Sequence, residues 1–145
     1  MADTIRRQIL DALGVRAAQV RLPGGTAALN ICYARQTLAA AELPALVITP
    51  QEESAERRYG QDLITMPVSV SVAAVLGAFE PLTLAEAILG ELRYVFPAPL
   101  EGLAEDIRYA EGGVNEWPER QDQAIVVTAV FNIVYSTAAN DPFNT

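Results

Sequence analysis

The chain has 145 residues, 51% hydrophobic and 19% charged, with a formal net charge of −8. That length and balance fit one folded domain, able to bury roughly 70% of its unfolded surface without a disulfide or metal staple. All ten basic residues are arginines, histidine is absent and Cys32 is the only cysteine, which excludes an intramolecular disulfide, His-dependent triads, a Walker A loop and a lysine Schiff base, and argues against Cys/His zinc sites and basic nucleic-acid grooves.

Asp3 or Thr4 is placed to cap a first helix, with Ile5, Ile9, Leu10 and Leu13 on one face and Gly14 suited to its C-terminus. Asp3, Arg6, Arg7 and Asp11 leave no signal-peptide core. No apolar run approaches the roughly 20 residues of a membrane helix. The expectation is a soluble protein made in the cytoplasm.

Gln19–Leu22 is expected as a short strand, broken by Pro23-Gly24-Gly25. The Gly24-Gly25-Thr26 stretch matches no phosphate-binding spacing and is expected to be a turn. Ala28–Tyr33 follows as a strand, with Leu29, Ile31 and Tyr33 on one side. Cys32 lies within it and is expected to pack in or near the core. Ala45–Ile48, between Pro44 and Pro50, reads as a short strand near an edge.

Gln51–Gly60 is a charged excursion carrying Glu52, Glu53, Glu56, Arg57, Arg58 and Tyr59. It is either an ordinary solvated loop or an arm reaching a neighbouring subunit, and the mixed Glu and Arg set favours the arm, because arginine forks pair bidentately with carboxylates. Leu63–Leu76 alternates, with Val68, Val70 and Val72 opposite Ser69, Ser71 and Ala73, and predicts a strand with one buried face. Thr83-Leu84-Ala85-Glu86 reads as a capping box opening a second helix. Leu82, Ala85, Leu89, Leu92 and Phe96 then recur at helical spacing, with Ile88 and Val95 beside them, until Pro97 and Pro99.

Asp106–Glu111 is expected as a half-polar strand, and Gly112–Gln123 as a long polar excursion around Trp117, Glu119 and Arg120. Trp117 either folds back on its own loop or anchors an interface, where tryptophan is enriched. Ala124–Tyr135 reads as a central strand with Ile125, Val127, Ala129, Phe131, Ile133 and Tyr135 under helices. The predicted architecture is α+β: a mainly antiparallel or mixed sheet with two helices on one face.

Catalytic residue types are sparse. Glu52/Glu53, Glu101/Glu105/Asp106 and Glu116/Glu119/Asp122 are the carboxylate groups available for acid–base work or a hard cation. Each reads first as solvated loop charge, since none has a partner of defined role. No catalytic residue, cofactor or metal is expected.

A string of short motifs carries a family resemblance. Leu43-Pro44-Ala45-Leu46-Val47-Ile48-Thr49-Pro50, Glu52-Glu53, Met66-Pro67-Val68-Ser69-Val70 and Leu89-Gly90-Glu91-Leu92 come first. Leu103-Ala104-Glu105-Asp106-Ile107, Gly112-Gly113-Val114, Gln121-Asp122-Gln123, Tyr135-Ser136-Thr137 and Asp141-Pro142-Phe143 follow. In this order and spacing, over residues 40 to 145, the chain resembles the tail terminator (tail-completion, minor tail) proteins of long-tailed bacteriophages.

The resemblance implies a structural virion protein without catalytic residues. It implies a subunit of a homo-oligomeric ring, typically a hexamer, that caps the head-proximal end of the tail tube and stops its polymerisation. The partners implied are other copies of the chain, the tail tube protein and the head-tail connector protein, with the genome passing through the lumen unbound. Two other readings of the same chain are a head-completion protein of the same particle and a small carboxylate enzyme or ligand-binding domain.

Overall fold

The structure, a computed structural model, describes residues 2–24, 29–35 and 37–145. Six strands form one sheet, with an α-helix near the N-terminus and another between the fourth and fifth strands. Gly25, Thr26 and Ala28, expected in the first turn and the second strand, lie outside the described residues.

Helix α1 (Ile5–Ala17) is capped by Thr4, whose hydroxyl accepts from the Arg7 N–H. Ile5, Ile9, Leu13 and Ala17 face the core. Gly14 does not end the helix. It lies buried inside it, where a Cβ would stand 1.9 Å from the Tyr33 hydroxyl oxygen. Gln19–Leu22 is not a strand. The N–H groups of Ala18, Gln19 and Val20 turn back to the carbonyls of Val15, Arg16 and Ala17, so the helix end consumes the donors a ladder needs.

Strand β1 (Asn30–Tyr33) pairs in parallel with β2 (Ala45–Pro50), and β2 pairs antiparallel with β4 (Gln61–Val75). β2 thus lies one strand in from the edge, with Ala45 to Ile48 all buried. Across β4, β6 (Ala124–Ala138) matches it over its full length, from Gln61↔Ala138 to Val75↔Ala124. β5 (Asp106–Glu116) pairs with β6 and closes the order β1-β2-β4-β6-β5. The sheet is mixed: one parallel pair, the rest antiparallel.

The expected excursion at Gly112–Gln123 is shorter. β5 continues through Gly112, Gly113 and Val114 to Glu116, with register shifts between Tyr109 and Glu111 and between Val114 and Glu116. The shifts let a Gly-containing polar stretch stay on the ladder as an edge strand.

Helix α2 (Pro81–Val95) starts earlier than the Thr83 capping box implies. Glu80 is the cap: its carboxylate accepts from the N–H groups of Leu82 and Thr83 and from the Thr83 hydroxyl. Pro81 at the first helical position needs no donor partner and has its φ preset for a helix, which favours this start. Leu84, Ala85, Ile88, Leu92 and Val95 are buried, Leu89 is half-buried and Leu82 is exposed.

Both helices pack on one face of the sheet. From β6, Ile125, Val127, Ala129, Phe131, Ile133 and Tyr135 point into this layer, joined by Val68, Val70 and Val72 of β4. Phe131 centres an aromatic group, 5.7 Å from the Phe96 ring and 5.9 Å from Tyr109, with the Arg93 guanidinium 4.4 Å from the Tyr109 centroid. The alternate β6 residues, Val126 to Ser136, are only partly covered and form the open face.

Candidate assembly surfaces

The charged excursion at 51–60 is a β-hairpin. β3 (Ser54–Arg58) pairs with Gln61–Thr65 of β4, on the same side of β4 that β2 occupies higher up. β2 and β3 are thus two halves of one strand, interrupted where Gln51, Glu52 and Glu53 stand opposite Met66 and Pro67. The Gln51 N–H donates to the Pro67 carbonyl at 2.8 Å. A residue's N–H and C=O point to the same side of a strand, so the donor that Pro67 lacks falls where the ladder is already broken. This explains a proline in a long inner strand.

All five β3 residues are exposed. The tip is Tyr59-Gly60, with φ of +48° and +78°. Left-handed values at both central residues are those of the two-residue hairpin turn that suits strand twist. Among the described residues nothing covers the Tyr59 side chain.

The tip is held from the C-terminal tail. Arg57 Nε donates to Asp62 Oδ1 at 2.6 Å and Arg57 Nη2 to Asn140 Oδ1 at 2.9 Å. The Asn140 N–H reaches Asp62 Oδ2 at 3.1 Å and the Ala139 N–H reaches the Gly60 carbonyl at 3.0 Å. The Arg57 hydrogen bond, then that from Asn140, hold the Asp62 carboxyl below its usual range.

The root of the arm is held by α1. Glu53 Oε2 accepts from Arg6 Nη1 at 2.6 Å and from the Tyr135 hydroxyl at 2.9 Å. Burial first, and then the Glu53 carboxylate, push the Tyr135 hydroxyl well above its ordinary pKa. Glu52 is exposed beside it, and Glu56 and Arg58 pair with each other at 3.3 Å along the strand.

Trp117, Glu119 and Arg120 lie at the other end of the molecule. The β5–β6 loop is tied to the end of β4, with Leu76 N–H on the Gln123 carbonyl and Gly77 N–H on the Gln121 carbonyl. The Gln123 side chain accepts from the Glu119 and Arg120 N–H groups, and Arg120 pairs with Asp122. Trp117 is half exposed and lines an open cavity of about 390 Å³ with Pro118, Glu119 and Gln123. The structure therefore does not gather the candidate residues into one site. It sets two groups at opposite ends of β4, about 46 Å apart at 3.3 Å per residue.

Between them runs the open sheet face, where β4 and β6 present uncharged side chains such as Ser69, Ser71, Thr128, Val130, Asn132 and Val134. Thr128 donates to Asn115 Oδ1 at 2.7 Å, so the 2.8 Å hydrogen bond between the Ser71 and Thr128 hydroxyls is donated by Ser71. Cys32 is half-buried on β1. Among the described residues no three or more Cys, Asp or Glu side chains converge as metal ligands. Among them, too, no helix is long and apolar enough to cross a membrane.

Asp62, Asn140 and Arg6 were not among the candidate interface residues named from sequence, yet they fix the arm. Asn140-Asp141-Pro142 carries a turn signature that could have pointed to a tail folding back. Nothing local marks Arg6 or Asp62. The chain matches no protein-family model and none of the curated proteins compared with it.

Proposed function

We propose that the chain is a structural virion subunit that assembles into a ring of six copies at the head-proximal end of a long-tailed bacteriophage tail. The ring caps the tail tube, stops its polymerisation and joins it to the head-tail connector. DNA passes through the lumen without specific binding, helped by the net charge of −8.

The observation that carries this reading is the braced hairpin at one end of β4, whose β3 strand is exposed throughout, with the Trp117 loop at the other end. A ring needs one patch on each copy to meet a different patch on the next. Two unlike projections fixed to a rigid sheet supply that layout. The motif resemblance over residues 40 to 145 supplies the particle.

Electron microscopy of purified chain mixed with purified tail tubes tests the reading. Rings seated on one end of the tube, and tubes that no longer elongate, are expected. A protein that never binds tube ends rejects it. Cross-linking to a portal or adaptor protein instead of the tube protein would make the chain a head-completion protein.

A further inference from the structure

The arm tip combines three properties that its own chain does not explain. Tyr59 takes a left-handed φ of +48°, a conformation that glycine and asparagine adopt far more readily than an aromatic residue. Its ring is fully exposed, and its hydroxyl has no hydrogen-bond partner among the described residues. The backbone beneath it is nevertheless fixed, through Gly60, Asp62 and Asn140. An unfavourable turn residue, held rigidly and burying nothing, makes sense as an anchor that fills a cavity elsewhere, a role in which tyrosine is enriched.

A cavity of matching character lies at the opposite end of β4. Leu43, Pro44, Val75, Phe79 and Leu84 are among its lining side chains, and its volume is about 220 Å³. That is below the roughly 300–1,000 Å³ of small-molecule sites and suits a single aromatic side chain. Charge does not oppose the contact: at the tip Arg57 is matched by Asp62 and Arg58 by Glu56, so a neutral tip would meet an end that carries Glu80 next to Phe79 and, on the loop tied to Leu76 and Gly77, Glu119 and Asp122 against Arg120.

We propose that Tyr59 of one copy docks in the apolar cavity beside Val75 and Phe79 of a second copy, joining the copies tip to base. This rests on the assembly reading above and names its contact. Tip and cavity are different surfaces, so the contact is heterologous and passes from copy to copy, closing into a ring where the rotation per copy allows it.

Sedimentation velocity and mass photometry test it on three proteins: the wild type, Tyr59→Asn, whose new residue suits the turn, and Val75→Arg, at an exposed strand end. Thermal unfolding followed by circular dichroism confirms that both variants fold. The wild type should form assemblies larger than a dimer at high concentration, and each variant should associate at least about tenfold more weakly. Mixing the two variants should restore one intact contact per pair and give a discrete heterodimer.

A wild type that stays monomeric or stops at a dimer overturns the proposal. So does either variant assembling like the wild type, or a mixture without heterodimers. Assembly through Tyr59 by a protein that caps no tube leaves the contact standing and rejects the terminator reading. Tube capping by rings that Tyr59→Asn leaves intact does the reverse.

Discussion

Arg16, in the last turn of α1, caps the C-terminus of α2 by donating from Nη1 to the Phe96 carbonyl at 2.7 Å. The same guanidinium reaches Ala98 O at 2.5 Å and Pro99 O at 2.9 Å. One cation thus satisfies the C-cap carbonyl of a helix that Pro97 and Pro99 prevent from continuing, together with two carbonyls of the loop that follows. Arg16→Ala should cost about 1–3 kcal/mol in urea unfolding, the range of a hydrogen bond to a charged group. Arg16→Lys should recover only part of it, because an ammonium cannot span the three acceptors as a planar fork does.

Phe131 sits between the Phe96 and Tyr109 rings and is almost fully buried. Phe131→Ala should destabilise by about 3–5 kcal/mol as a large core truncation. Leu92→Ala, at a fully buried position, should cost about 2–5 kcal/mol. Leu89→Ala should cost less, since Leu89 is only half-buried. Denaturant melts of the three variants give the order directly.

Gly112 on β5 has no room for a side chain. A Cβ there would lie 2.7 Å from the Tyr109 hydroxyl oxygen, 2.8 Å from the Thr128 carbonyl oxygen and 3.0 Å from Leu89 Cδ1. The tyrosine and leucine tips can move, but the backbone carbonyl is part of the sheet. Gly112→Ala should therefore destabilise by about 1–3 kcal/mol and speed amide exchange along β5.

Tyr59 stands where its backbone geometry suits another residue. Tyr59→Asn should raise the melting temperature, by about 2–4 °C for a gain near 1 kcal/mol in a chain of this size. A drop in melting temperature would mean that the ring packs within its own chain.

The brace of the arm should respond to acid. Arg57, and then the Asn140 N–H, lower the Asp62 pKa from its ordinary 3.8 in the folded state. A carboxyl with a lowered folded pKa contributes stability that is fully present above its unfolded pKa and is lost as pH falls through the folded value. The Asn140 amide should stay protected above about pH 4 and lose protection below it. Asp62→Asn should remove that acid dependence, as hydrogen exchange followed by NMR will show.

The α+β architecture was legible because its strands alternate and its helices carry apolar stripes. Val68, Val70 and Val72 and the Ile125–Tyr135 series face the core as the alternation predicts. Helix ends and loops were less legible, for specific reasons. Glu80 displaced Thr83 as the cap because a proline at the first helical position fixed the start one turn earlier. Gly112-Gly113 looked like a loop because glycine and charge also mark edge strands. The arm's charged residues could be named from sequence, but not its brace, because Asp62 and Asn140 are 78 residues apart. Gly14 looked like a helix stop, and only Tyr33, brought over it by the fold, explains why it lies inside the helix.

β4 is one unbroken strand from the arm tip to the far end of the sheet, in register with β6 at fifteen successive positions. The arm therefore has no hinge between itself and the body. A pull on Tyr59 along the strand would load the β4–β6 hydrogen bonds in shear, many at once, rather than peel them apart singly. The projection is built as a stiff spoke: it can carry mechanical tension into the sheet without bending at its base.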